Sequence, residues 1–114
     1  MAPREHAPEN AMADPGEVAR FYDRASDLLR ALLDELAARP DEPRPFPAIE
    51  QALGWPPRRI AAVLGGVGRA RVTEFGGRRP YRFRDARHAP SRRWDLWADA
   101  AQAQAIRAAA RDDR

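Results

Sequence analysis

Apolar residues recur every three to four positions along the first third of the chain, which is the spacing of one face of an α-helix. The members of this stripe are Val18, Phe21, Tyr22, Ala25, Leu28, Leu29, Leu32, Leu33 and Leu36. Asp14, Pro15 and Glu17 stand before it in the order of a helix cap, a first-turn proline and a capping-box glutamate. Three prolines between residues 39 and 45 end the pattern. The pattern predicts one helix of about 22 residues, wide enough to pack on a core rather than in a coiled coil.

A second, shorter apolar pattern predicts a helix that starts near Pro47 and ends at Gly54, a residue suited to the left-handed stop after a helix. Residues 55–57 read Trp-Pro-Pro and predict a turn. A third helix is predicted over residues 57–75, and its buried stripe is Ile60, Val63, Leu64 and Val67. Three glycines within 65–68 weaken this helix or allow the first helix to approach it closely.

The segment that follows allows two interpretations. In one, residues 71–83 form a hairpin around two glycines. In the other, the third helix continues to about Phe75 and the hairpin spans residues 81–97, with strands at 81–85 and 93–97. The second interpretation is favoured, because aromatic and apolar residues alternate with charged ones in both of its strands. This alternation puts the two tryptophans of the second strand on opposite faces of the hairpin.

The two ends of the chain differ from its centre. Residues 1–13 hold two prolines, four alanines and scattered charges without periodicity, so we expect them to be disordered. Residues 99–110 predict an Ala-rich helix whose large apolar residue is Ile106, and this helix either docks weakly or packs on a partner. The expected organisation is a tail at 1–13, a folded domain at 14–98, and a helix with a short tail at 99–114.

Charge is distributed unevenly along the chain, although the net charge is only +3 and all 20 basic residues are Arg. Residues 1–43 carry 5 Arg against 10 acids, or −5, and residues 95–114 carry 3 against 4, or −1. Residues 44–94 carry 12 Arg against 3 acids, or +9. Arg in place of Lys is typical of a GC-rich genome. The clustering has no such explanation and suggests a polyanionic partner.

Several function classes are excluded by what the sequence lacks. The chain has no Cys, which removes thiolate metal sites, disulfides and cysteine nucleophiles. It has no apolar run near the ~20 residues of a membrane span and no signal-peptide pattern, so we expect a soluble, cytoplasmic protein. The two histidines, His6 and His88, are far apart, and no nucleophile or phosphate-binding motif is present. We therefore expect no enzymatic activity, no metal, no cofactor and no small-molecule ligand.

The predicted order of helix, short helix, tight turn, helix and two-stranded hairpin resembles a winged helix-turn-helix domain. The residues that carry the resemblance are Ile49, Leu53, Gly54, Ile60, Val63, Leu64 and Val67. It covers residues 17–97 and implies a mainly α fold of the α+β class, with a three-helix core, a small β-hairpin wing and a C-terminal helix. The Phe-Tyr-Asp-Arg-Ala at 21–25 and the Pro-Tyr at 80–81 are also similar to an uncharacterised group of small actinobacterial proteins.

The winged-helix resemblance implies a DNA-binding site. In helix-turn-helix families the helix after the turn enters the major groove with its N-terminal residues towards the bases, and these residues are here Arg58 and Arg59. The further contacts implied on the third helix and the wing are Arg69, Arg71, Arg87, His88, Arg92 and Arg93. The start of this helix has no Asn, Gln, Ser or Thr, which together with Arg do most base reading. DNA binding is therefore expected more firmly than recognition of a particular sequence.

The resulting hypothesis is a small transcriptional regulator that binds double-stranded DNA. Helix 57–75 would lie in the major groove, and the Arg-rich wing would contact the backbone or minor groove. A homodimer through residues 17–38, residues 99–110 or both is expected, since one small domain offers few base contacts. The alternative is a winged-helix protein-interaction module, an adaptor or inhibitor, that does not bind DNA. RNA binding is a third option with less support.

Overall fold

The computed structural model describes residues 11, 12, 14–86 and 93–112, of which residues 85, 86 and 93 contribute backbone only. This part of the chain is mostly helical with a small antiparallel sheet, which confirms the α+β class. The helices are α1 (Pro15–Arg24), α2 (Asp27–Ala38), α3 (Phe46–Leu53), α4 (Arg59–Gly65), α5 (Val67–Glu74) and α6 (Ala100–Asp112). The strands are β1 (Arg44–Pro45), β2 (Arg82–Ala86) and β3 (Arg93–Trp97). None of the helices in the described residues has the length and apolar character needed to cross a membrane.

The prediction of a single helix at the start of the chain is wrong, because the segment forms two helices, α1 and α2. Ala25 is extended, with φ −77° and ψ 149°, and the Ser26 hydroxyl accepts a hydrogen bond of 3.2 Å from the backbone N–H three residues on. A serine in this position starts a new helix because its side chain replaces a backbone acceptor. Arg30 donates to the carbonyls of Tyr22 and Asp23 at 2.9 and 2.7 Å, which stabilises the end of α1.

The C-terminal helix α6 packs against α1 and α2 of the same chain. Ile106 is fully buried, and the buried side chain of Gln102 donates to the carbonyl oxygen of Met12 at 3.2 Å. Asp99 and Gln102 cap the helix reciprocally, each backbone N–H donating to the other side chain at 3.0 and 2.8 Å. The apolar faces of the two segments expected to dimerise are therefore buried against each other. Met12 also belongs to the core, although the sequence predicted disorder there.

The turn between α3 and α4 is held by a buried carboxylate. α3 ends at Gly54 with φ 70°, the left-handed stop that the sequence predicted. Glu50 of α3 is buried, and its Oε2 accepts a hydrogen bond of 3.0 Å from the backbone N–H of Ile60 in α4. Arg58, at the cap position of α4, has φ 71° and provides no side-chain cap bond. Glu50 therefore caps α4 from the preceding helix and fixes the angle of the turn.

The prediction of a continuous helix over residues 57–75 is also wrong, because Gly66 separates α4 from α5. Gly66 has φ −105° and ψ −102°, far from helical values. Gly68 lies against the end of α4, where an added Cβ would come within 2.5 Å of the carbonyl oxygen of Val63. The glycines interrupt the helix, and the close approach that they allow is to α4 rather than to the first helix.

The hairpin over residues 81–97 is confirmed. β2 and β3 pair antiparallel, with Arg82 opposite Trp97 and Phe83 opposite Leu96. The sequence did not predict β1, which pairs with the other side of β3 and gives the sheet order β1-β3-β2. Trp94 is 41% exposed whereas Trp97 is 7% exposed, as expected for residues on opposite faces of the strand. The face with Phe83 and Trp94 is turned towards α4 and α5.

Candidate nucleic-acid interface

Arg58 and Arg59 lie at the turn that leads into α4, where the sequence analysis expected the DNA-facing start of the third helix. Arg58 is exposed and Arg59 is half-buried. Neither guanidinium forms a hydrogen bond or ion pair with another described residue. The nearby acid, Glu50, is occupied with the backbone of α4. Both arginines are therefore available to an external anion.

Arg69 extends this set of arginines along α5, and Arg71 does not. Arg69 is exposed, and its guanidinium has no ion-pair partner within the described part of the chain. Arg71 Nη1 lies 2.6 Å from Glu74 Oε2, and its side chain is only 19% exposed. Arg24 Nη1 lies 3.7 Å from the same carboxylate oxygen. α5 thus offers Arg69 to solvent and holds Arg71 in an intramolecular ion pair.

Other arginines of the basic segment are engaged in ion pairs that support the fold. These pairs are Arg44–Glu35 at 2.9 Å, Arg78–Glu17 at 2.9 Å, Arg82–Asp99 at 3.8 Å and Arg84–Asp95 at 3.2 Å. Glu17 and Glu35 belong to α1 and α2, the acidic part of the chain that could have neutralised the turn. They are paired with Arg78 and Arg44 instead, so these two acids leave the arginines of the turn uncovered.

The outward surface of α4 and α5 carries mostly small side chains. Its exposed positions include Ala61, Ala62, Gly65 and Ala70, none of which carries a side chain that can donate or accept a hydrogen bond. Thr73 is exposed as well, but its hydroxyl donates to the carbonyl oxygen of Arg69 at 3.0 Å. A nucleic-acid backbone can approach such a surface closely, whereas few groups on it could read the edges of bases.

The predicted wing residues Arg87, His88 and Arg92 lie outside the described residues. Arg93 is described by its backbone alone, which pairs with Ala86 at the end of the hairpin. The wing contacts therefore stay a prediction. Arg58, Arg59 and Arg69 lie on consecutive parts of the chain, the turn, α4 and α5, and Arg58 and Arg69 line adjoining depressions that share Phe46 and Ala61.

A groove that the sequence analysis did not predict separates α4 and α5 from the sheet. Its volume is about 630 Å³, and its aromatic lining residues are Phe46, Tyr81, Phe83 and Trp94. The rings of Phe83 and Trp94 meet edge to face, with centroids 5.3 Å apart. A second depression of about 570 Å³, which includes Arg58, shares Phe46 and Ala61 with the groove. The groove therefore adjoins the surface that carries the available arginines.

Tyr81 is the buried member of this aromatic lining, at 5% exposure. Burial raises the pKa of Tyr81 above its ordinary value of 10.0, and Arg79 opposes the shift through its charge and a hydrogen bond. The Arg79 guanidinium lies 5.0 Å from the Phe83 ring centroid and 6.0 Å from that of Tyr81. The groove thus combines aromatic faces with cationic side chains, a pairing that the sequence shows only as scattered residues.

No protein-family model, no curated protein and no solved structure matches the chain.

Proposed function

We propose that the protein binds double-stranded DNA as a small winged-helix transcriptional regulator. The observed order α2, β1, α3, turn, α4, α5 and hairpin β2–β3 supports the proposal, because it contains the helices, turn and hairpin expected of that domain in the expected sequence. In the proposal, α4 is the helix that enters the major groove. The observation that carries the proposal is the placement of Arg58, Arg59 and Arg69. All three belong to the turn, α4 and α5, and none has an ion-pair partner among the described residues.

Phosphate contacts provide most of the affinity in this proposal. Guanidinium groups bind phosphate oxygens in bidentate geometry, and the small side chains of α4 let the DNA backbone approach. In helix-turn-helix domains the first residues of the recognition helix face the bases, and in the proposal these are Arg58 and Arg59. Exposed Asn, Gln or Ser side chains, which would add to base reading, do not occur on the described α4 and α5. We therefore expect modest discrimination between sequences.

The proposal is tested by the affinity for a labelled duplex, measured by fluorescence anisotropy across a salt series. Three phosphate contacts give a slope of log affinity against log salt of about −3, and wing contacts make it steeper. Each of the variants Arg58→Gln, Arg59→Gln and Arg69→Gln should weaken binding by about 1–3 kcal/mol. Where the lost contact is to a phosphate, the variant should also reduce the salt slope by about 1.

The matched control is Arg111→Gln, which removes an exposed arginine of α6 that has no ion-pair partner within the described residues. It should leave the slope unchanged, since α6 packs on α1 and α2 rather than on α4. A flat salt dependence, or equal losses for Arg111→Gln and Arg69→Gln, would contradict the proposal.

The homodimer through residues 17–38, residues 99–110 or both belongs to the same proposal, and it would use the parts of these helices that are not packed inside the chain. The apolar faces of residues 17–38 and 99–110 are occupied by each other. On the outward side of α2, Leu28 remains 39% exposed and offers an apolar contact. Sedimentation of the wild type and of Leu28→Arg distinguishes a dimer through this side from a monomer.

A protein-interaction module without DNA binding is the second candidate. The observation that favours it is the exposure of two large apolar side chains, Val67 at 52% and Trp94 at 41%, beside the arginines of α5. Exposed apolar groups of this kind anchor partner proteins. A partner protein retained after nuclease treatment, with no affinity of the pure protein for duplex DNA, would favour this candidate.

A further inference from the structure

The groove between α4, α5 and the sheet has the size and lining of a ligand site. Its volume of about 630 Å³ lies within the range of small-molecule pockets, roughly 300–1,000 Å³. Phe83 and Trp94 form an aromatic wall on the sheet, and Leu64 and Val72 contribute apolar surface from α4 and α5. These side chains provide an apolar contact for a flat hydrophobic group.

Small residues keep the groove open on the helical side. Ala61 and Gly65 line it from α4, and a Cβ added at Gly65 would have no heavy atom within 4 Å. Gly65 belongs to α4 and does not have a positive φ, so a larger side chain can be placed there without left-handed backbone strain. The open volume therefore depends on a position that can be filled by substitution without disturbing the core.

The charge of the groove is positive. Arg69 and Arg79 both line it, and none of the described residues in its lining is acidic. Arg79 lies over the Phe83 ring, which places a cation next to the aromatic wall. Arg69 is exposed and has no ion pair with another described residue, so its guanidinium is available to an anionic group on a ligand.

We propose that this groove binds a small planar aromatic acid, with its ring against Phe83 and Trp94 and its acidic group paired with Arg69. The charge complementarity and the aromatic wall together select this class over neutral apolar molecules. The site does not depend on the proposed function. One consequence does rest on it: Arg69 belongs to both surfaces, so a bound acid would compete with duplex DNA.

Binding is tested with anilinonaphthalenesulfonate, an aromatic anion whose fluorescence rises in apolar sites, and with its neutral relative phenylnaphthylamine. We expect a single sulfonate site on the full chain. Arg69→Gln should weaken the sulfonate by about tenfold, the loss of one charge-assisted contact, and leave the neutral probe unchanged. Gly65→Leu should weaken both probes by at least about tenfold because it fills the groove. Arg111→Gln is the control for loss of a surface arginine and should change neither affinity.

A second variant keeps the test independent of the folding of Gly65→Leu. Trp94→Ala removes a half-exposed ring and should reduce sulfonate affinity by roughly fivefold. The proposal is overturned if Gly65→Leu and Trp94→Ala, with wild-type thermal midpoints, bind the sulfonate as tightly as the wild type. It is also overturned if Arg69→Gln weakens both probes equally.

Two displacement measurements distinguish a small aromatic acid from unpaired nucleic acid as the ligand of the groove. Naphthoate should displace the sulfonate. Oligothymidylate is the comparison. If it displaces the sulfonate at a lower concentration than naphthoate does, counted per aromatic ring, the groove binds unpaired nucleic acid and the proposal is wrong. Duplex affinity is measured separately: sulfonate binding without duplex binding would refute the proposed function and leave the ligand site standing.

Discussion

Replacing Glu50 by alanine tests whether the buried carboxylate holds the turn that carries Arg58 and Arg59. The substitution leaves the backbone N–H of the fully buried Ile60 without its acceptor at 3.0 Å. An unsatisfied buried donor costs about 1–3 kcal/mol, and the loss of a helix cap lies within the same range. Against this, the substitution relieves the desolvation of a buried carboxylate. We expect Glu50→Ala to lower the free energy of unfolding by about 2 kcal/mol.

Urea denaturation measures this change. With an m value of roughly 1.5 kcal/mol/M, a loss of about 2 kcal/mol lowers the midpoint by about 1.3 M. Glu50→Gln keeps an acceptor oxygen of similar reach and should lose about half as much. Gln51→Ala alters the next residue, which is exposed, and should stay within about 0.5 kcal/mol of the wild type. A Glu50→Ala midpoint equal to that of Gln51→Ala would refute the reasoning, because it would mean that desolvation cancels the bond.

Three further predictions concern the backbone and Tyr81. Gly68→Ala should destabilise the protein by about 1–3 kcal/mol in the same urea assay, because the new Cβ meets the Val63 carbonyl oxygen at 2.5 Å; Gly65→Ala, with open space around it, should not. Arg58→Gly should raise stability by about 0.5–1 kcal/mol by relieving φ 71°, whereas Arg58→Ala should not, and both should weaken DNA binding. Burial raises the pKa of Tyr81 in the folded state, so its contribution to the free energy of unfolding is fully present below about pH 10 and is lost as pH rises through the folded-state pKa. Urea midpoints should therefore fall more steeply above about pH 10 in the wild type than in Tyr81→Phe.

The helices were largely predictable because their apolar spacing is a local property of the chain. The break at Ser26 was not, since the apolar stripe continues through it without a change of spacing. What decides the break is a competition between helical continuation and a serine side chain that caps the next turn. Arg30 adds to this by bonding carbonyls of the preceding helix, a contact that spacing alone does not reveal.

The groove was not predictable from the sequence for a different reason. The alternation in β3 correctly placed Trp94 and Trp97 on opposite faces, and the structure shows Phe83 of β2 in contact with Trp94. Whether helices cover that face completely depends on the path of the chain between α4 and α5. That path is set by Gly66 and by the close approach of Gly68 to α4, and these are tertiary features. A pattern that reads as a packed face therefore leaves an open, aromatic-lined groove.

The net charge of +9 over residues 44–94 could be counted from the sequence, but the arginines available to DNA could not be identified from it. Arg78 is paired with Glu17, a residue 61 positions away, through the docking of α1. The arginines held in ion pairs are already neutralised within the fold. They therefore release no counterions when DNA binds. The expected salt slope is therefore about −3 for Arg58, Arg59 and Arg69, or about −5 with three wing arginines, rather than the −8 that nine contacts would give. A slope near −8 would mean that these ion pairs open on binding, and the division of arginines into structural and DNA-facing groups would then be wrong.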